Sequence, residues 1–195
     1  MGQLQTPPLA PFVADLAAKF KIREFVETGT FRGEGCSFAA RIFPSVTTIE
    51  VNAEYHAAAR QRYGSLPIRF LLGDSAVVLP EVVAQLSEPA MFWLDGHAGG
   101  GHFGPDDDCP LLAELDAIAR SPFPHFILVD DARAFLAPPP PPFDAKKWPT
   151  IVEVLAAARR SVPYYCVIIA DTLICVPPAA KLNVIRFCNA VRPTI

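Results

Sequence analysis

The stretch YYCVIIADTLICVPP, residues 164–178, decides the fold. Two apolar, largely β-branched runs, 164–170 and 172–178, are parted by Asp171 alone. A parallel connection needs a crossover segment far longer than that, so the two runs can pair only as an antiparallel hairpin.

Upstream of the hairpin the rhythm is different. Strand-length apolar runs at 24–29, 46–51, 68–73, 90–96 and 125–130 alternate with helix-period stretches at 33–43, 52–63, 75–86, 109–120 and 148–160. A further helix is expected over 11–20, Asn52 is placed to cap the helix that follows it, and Pro80 is expected to kink or split its own. Such β-α alternation requires right-handed crossovers and a parallel sheet covered on both faces. The expectation is an α/β chain, a Rossmann-like three-layer sandwich whose seven-stranded, mostly parallel sheet closes with an antiparallel C-terminal hairpin. Residues 1–195 read as a single domain, with a core over 22–178 and a C-terminal extension over 179–195. The extension contains LNVIRFCNAV, apolar enough for a strand or for covering a partner, which leaves a homo-oligomer open.

Composition narrows the function classes. With 51% apolar and 19% charged residues the chain is globular, and no apolar run approaches the roughly 18 residues of a membrane span. The beginning of the chain lacks the basic-then-apolar pattern of a secretory signal. The five cysteines are scattered without a C-x-x-C pair, as in core thiols of a cytoplasmic protein. A net charge of −3 with dispersed Arg and Lys gives no footprint for nucleic acid, so a small-molecule substrate is expected. His56 and His125 read as surface residues, and Trp93 as core.

In open α/β sheets ligands lie beyond the carboxyl ends of the strands, near the switch in strand order. Every strand of the parallel set delivers acid there: Glu27 with Gly29, Glu50, Asp74 with Ser75, Asp95 with His97, and Asp130 with Asp131. Acids also cap the helices that follow strands, so any single one has a purely structural reading. All five together point to a binding site. The segment FVETGTFRGEG, 25–35, has no Lys and no G-K-[ST], which serves a triphosphate poorly. Glu27 would repel a pyrophosphate and attract an ammonium or sulfonium group, so S-adenosylmethionine is favoured over NAD. Glu50 stands where an acid can accept both ribose hydroxyls. Gly29 and Gly33 let the backbone approach a bulky ligand.

At these residues the chain resembles the class I S-adenosylmethionine-dependent methyltransferases, over residues 22–178. ETGTFRG, 27–33, is similar in relaxed form to that family's acid-plus-glycines motif. The resemblance implies that Glu27 sits near the amino group of the cofactor's methionine portion, with Gly29, Thr30 and Gly33 lining that portion. It implies that Glu50 takes the ribose hydroxyls, that Val51 packs on the adenine, and that Asp74 and Ser75 form the adenine corner. WLDGHAGG and ILVDDAR resemble the metal-dependent O-methyltransferases of the catechol and macrocin types. There an acid after strand four and an acidic pair after strand five hold a divalent cation, here Asp95, Asp130 and Asp131.

Three converging carboxylates raise one another's pKa unless a hard dication neutralises them, and carboxylates plus waters suit Mg²⁺. His97 then stands as general base beside Asp95. Other readings stay open. Asp131 can merely cap the next turn, Asp130 can bond a backbone amide, and His97 can be a loop residue. The loop 98–108, with His102 and Asp106–Asp108, is either solvated or a lid, and the proline run at 137–143 a stiff loop or a docking segment. Arg133 is placed to hold an acidic or hydroxylated substrate. Metal-free methyl transfer, and a non-catalytic cofactor-binding domain acting through a partner, are the alternatives to a metal-assisted enzyme.

Overall fold

The computed structural model describes residues 4–97, 109–137, 139–141 and 143–191. The segment 98–108, read as either a solvated loop or a lid, and two of the prolines, Pro138 and Pro142, lie outside the described residues. The strands are β1 (Glu24–Thr28), β2 (Ser45–Glu50), β3 (Ile68–Leu72), β4 (Ala90–Leu94), β5 (Phe126–Val129), β6 (Tyr165–Ile169) and β7 (Thr172–Val176). They form a 7-stranded sheet in the order β3-β2-β1-β4-β5-β7-β6. All pairs are parallel except β5 with β7 and β7 with β6. The hairpin that parts the last two strands turns on Ala170 and Asp171, with φ of 51° and 62°. Two consecutive left-handed residues give the turn whose twist matches that of the flanking strands.

The helices are α1 (Leu9–Phe20), α2 (Glu34–Ala39), α3 (Ala53–Tyr63), α4 (Ser75–Gln85), α5 (Leu111–Ala119), α6 (Arg133–Leu136), α7 (Ile151–Ala158) and α8 (Lys181–Val191). They explain why the central strands are apolar throughout. In β4, Ala90, Phe92 and Leu94 pack into a core with residues of α4, α5 and α7, while Met91 and Trp93 pack into a second core with α1, α2 and α8. Trp93 is thus core, as read.

Several local expectations are corrected. Pro80 does not split α4, which runs from Ser75 to Gln85. The bond that proline cannot make falls on the carbonyl of Ala76, in the helix's first turn, so only one rung is lost. The helix expected over 33–43 stops at Ala39. Pro44 disfavours helix at Phe43, and the chain turns there so that Phe43 packs on Phe25, ring centroids 5.0 Å apart. The tail is neither a strand nor bare. In α8, Val184, Phe187 and Cys188 recur at helical spacing, and Phe187 stacks on Phe12 of α1 at 4.1 Å, covering the chain's own core. Among the described residues no helix is long and apolar enough to cross a membrane.

His125 is not a surface residue. It is buried at the foot of β5, where its Nδ1 accepts the amide of Ala90 at 3.0 Å, and its ring sits edge-on to Phe92 at 5.1 Å. His56 is half-buried, edge-on to Phe70. Burial pulls the His125 pKa from the usual 6.5 down to about 4. The unfolded chain takes up a proton below pH 6.5 while the folded ring resists it, so this residue's contribution is present at neutral pH and drains away as pH falls toward 4. Urea denaturation of wild type and His125→Asn should therefore show a stability gap that narrows by about 2 kcal/mol between pH 7 and pH 5. A gap independent of pH would refute it.

Candidate functional site

The strand order reverses between β1 and β4, which puts the switch point where Gly29 and Asp95 emerge side by side. The two turns touch. Gly29 has φ +82°, and a Cβ there would lie 2.7 Å from the Asp95 carbonyl carbon and closer still to its oxygen. Gly33, φ +79°, supplies the N-cap of α2 and lies against the ring of Tyr63.

Beneath this loop Glu27 is buried. Thr48 donates its hydroxyl to Glu27 Oε2 at 2.6 Å, and the Thr48 and Thr30 hydroxyls are also 2.6 Å apart. Gly35 lies so close that a Cβ would fall 3.3 Å from the Glu27 carboxyl carbon and nearer to Oε1. Burial pushes the Glu27 pKa up to about 8, against the lowering effect of the Thr48 hydrogen bond. The acid thus sits under the loop rather than on its open side. Glu50 ends β2 and is also buried; its Oε2 accepts the amide of Phe31 at 2.8 Å and its Oε1 that of Asn52 at 2.8 Å. Phe31 itself adopts a left-handed φ of 47°. Next to Glu50, Val51 is 37% exposed, an apolar lip at the edge of the sheet. Asp74 caps α4 by accepting the Ala76 amide at 2.9 Å, and Asn52 caps α3 as expected.

Ser75 is buried and leads to a residue the sequence reading missed. A Cβ added to Gly96 would meet both the Ser75 hydroxyl, at 3.2 Å, and Oε1 of Glu114 on α5, at 3.0 Å; burial drives the pKa of that carboxyl up to about 7. Its signal was available: Leu111, Glu114, Leu115 and Ile118 share one face, so an acid stands inside an apolar stripe.

The acids beyond β4 and β5 converge. Asp95, His97 and Asp131 each offer an atom within 4.8 Å of the others, with His97 Nε2 3.9 Å from Asp95 Oδ1. Burial first, then the charges of Asp130 and Asp131, hold the Asp95 carboxyl well above its ordinary range. Asp130, expected beside them, turns inward: its Oδ1 accepts the Asp131 amide at 2.8 Å, and burial lifts its pKa to about 7. That bond helps fix the left-handed backbone of Asp131, φ 49°. His97 is walled by aromatic rings, Trp148 at 5.4 Å and Phe135 at 5.8 Å, and its Nε2 lies 3.4 Å from the Asp130 carbonyl oxygen. Burial keeps its pKa low, so the ring is neutral at physiological pH. Trp148 carried no sequence signal. Arg133 does not stand free for substrate; it pairs with Asp131 at 2.9 Å and with Asp171.

This donor set fits a divalent cation. Two half-buried carboxylates drawn together beside a neutral imidazole offer hard oxygen donors and one nitrogen, which a positive charge would balance. The structure therefore groups Asp95, Asp131 and His97 as candidate ligands, with Asp130 behind them.

No protein-family model matches the chain, and no curated protein matches it in sequence. Solved structures do match in fold. The O-methyltransferase TomG from Streptomyces achromogenes, involved in tomaymycin synthesis and solved in complex with SAM, is 19% identical over 88% of this chain and 81% of its own, with a TM-score of 0.56. An O-methyltransferase from Bacillus cereus in complex with SAH is 15% identical, covering 88% and 81%, at a TM-score of 0.57. The SAH-bound methyltransferase PaMTH1 from Podospora anserina is 13% identical over 88% and 79%, at 0.56. The chain thus has the fold of the class I S-adenosylmethionine-dependent methyltransferases, with O-methyltransferases among its structural neighbours.

Proposed function

We propose that the chain is an S-adenosylmethionine-dependent methyltransferase that O-methylates a small hydroxylated molecule with the help of a divalent cation, Mg²⁺ or the similar Mn²⁺. The observation that carries this reading is the cluster of Asp95, His97 and Asp131 one backbone contact away from the glycine loop. Gly29, Thr30 and Gly33 take the methionine portion of the cofactor, with Glu27 supporting their loop from beneath, Glu50 takes the ribose, and Val51, Asp74 and Ser75 the adenine. Both Glu50 oxygens already hold amides, yet each carboxylate oxygen accepts a second donor, so the ribose hydroxyls can be added without loss. A bound cation would lower the pKa of the substrate hydroxyl and hold its oxygen. The residues' own part is alignment: the Gly29–Asp95 contact fixes the distance between methyl donor and acceptor oxygen. His97, neutral and beside Asp95, has one free ring lone pair, which serves either as a ligand or as acceptor of the hydroxyl proton, not both at once.

Calorimetry with S-adenosylhomocysteine is the test. Binding in the micromolar range is expected, and none at high micromolar ligand removes the reading. One observation favours a metal-free variant of the reaction: Asp130 and Asp131 already have partners, in the Asp131 amide and in Arg133. Turnover that survives EDTA would select that variant.

A further inference from the structure

We propose that Asp171, at the tip of the C-terminal hairpin, is a positioning residue that gives Arg133 a second counter-charge and so keeps the Asp131 carboxylate available to a divalent cation. This rests on the metal-assisted reading above.

The hairpin tip grips the start of α6, just beyond β5, at consecutive residues. The Asp171 carbonyl accepts the Ala132 amide at 2.8 Å, its Oδ1 accepts the Arg133 amide at 3.0 Å, and its Oδ2 pairs with Arg133 Nη1. The same Nη1 lies 2.9 Å from Asp131 Oδ1. One guanidinium is therefore shared by two carboxylates, and Asp131 belongs to the cluster with Asp95 and His97.

The sharing has a consequence for any cation at that cluster. A dication approaching Asp131 meets the positive Arg133 beside it. With Asp171 ionised, the guanidinium keeps a counter-charge after Asp131 turns to the metal. Without that charge Arg133 is committed more fully to Asp131 and competes with the metal for it. Asp171 is suited to the task because the backbone leaves it little freedom: it occupies a left-handed turn position and is tied to the start of α6 by two backbone amides. Arg133 is half exposed, so solvent screening keeps the effect modest.

Titration of Mn²⁺ into the full chain, followed by the EPR signal of the free ion, tests this with Asp171→Asn, Arg133→Gln and the double variant. Asparagine suits the turn and still offers an oxygen to the Arg133 amide, so the substitution isolates the charge. Asp171→Asn should weaken Mn²⁺ binding about fivefold, a surface-pair-sized effect. Adding Arg133→Gln should restore it, which a merely structural role for Asp171 does not allow. Arg133→Gln alone should bind Mn²⁺ at least as tightly as wild type, a result independent of how Asp171→Asn folds. S-adenosylhomocysteine affinity, unchanged throughout, certifies the fold. Wild-type affinity in Asp171→Asn, failure of the second substitution to rescue it, or weaker binding by Arg133→Gln overturns the proposal. Wild-type protein that binds S-adenosylhomocysteine and no Mn²⁺ overturns the metal reading, and this inference with it.

Discussion

Asp95→Asn is expected to lower turnover by roughly three orders of magnitude while leaving S-adenosylhomocysteine affinity within about threefold of wild type. The substitution keeps the side chain's shape and, more to the point, keeps the backbone carbonyl against which Gly29 packs. The cofactor loop has no reason to move. What is lost is one negative charge in the cluster with His97 and Asp131, and with it the strongest claim on a dication. Asp131→Asn should behave alike. Asp130→Asn is the informative contrast. Its oxygen would still accept the Asp131 amide, so the turn survives, and turnover should fall only about tenfold. It also removes one of the neighbours whose charge raises the Asp95 pKa. The Asp95 pKa should then drop, Asp95 should ionise at lower pH, and the acidic limb of the pH–rate profile should move to lower pH. Steady-state kinetics with added Mg²⁺ check all three variants. Equal damage from Asp130→Asn and Asp95→Asn would return Asp130 to the ligand set. Wild-type turnover in Asp95→Asn would leave the metal reading without support.

The parts of the molecule that were readable in the sequence are those set by local pattern. Asp171 between two strand-like runs forces a hairpin whatever else the chain does, and Asn52 before an alanine-rich stretch caps a helix by chemistry confined to a few residues. The row of strand-end acids was equally visible, because a parallel sheet brings the carboxyl ends of its strands to one edge. The direction in which each acid turns was not visible. Glu27 lies under the glycine loop because Thr48, on the neighbouring strand, offers it a hydroxyl. Asp130 turns to the next amide while Asp131, one residue on, joins the cluster with Asp95 and His97. His125 shows the same limit from the other side. Its burial depends on the Ala90 amide at the foot of β4, far away in the chain, and no periodicity in its own segment records that. The Arg133 pairing is of this kind too, since it depends on where the hairpin tip lands.

Gly29→Ala is expected to cost about 3 kcal/mol of stability or more, and to weaken S-adenosylhomocysteine binding at least tenfold. Two penalties combine at this position. At φ +82° an L-residue is strained by roughly 1–2 kcal/mol on backbone grounds alone. The added Cβ also overlaps the Asp95 carbonyl, and that obstacle is backbone, so no side-chain rotation relieves it. Nor can β4 retreat cheaply, because the Asp95 amide is bonded to the Thr28 carbonyl at 3.1 Å, one rung from the collision. Gly33→Ala separates the two penalties. Its φ is nearly the same, but its Cβ meets side chains and no backbone, the Tyr63 ring at 2.8 Å and Ala59 Cβ at 3.4 Å, so it should carry the strain with a clash that a shift of Tyr63 can relieve. Urea denaturation and calorimetry on both variants measure the difference. The comparison bears on function because Gly29 belongs to the cofactor half of the site and Asp95 to the metal half. If the two turns are held in contact for methyl transfer, Gly29→Ala must weaken Mn²⁺ binding as well, although no metal ligand has been touched. A Gly29→Ala protein that matches Gly33→Ala in stability and binds cofactor like wild type would mean that the turns are not held together, and that nothing in the fold sets donor against acceptor.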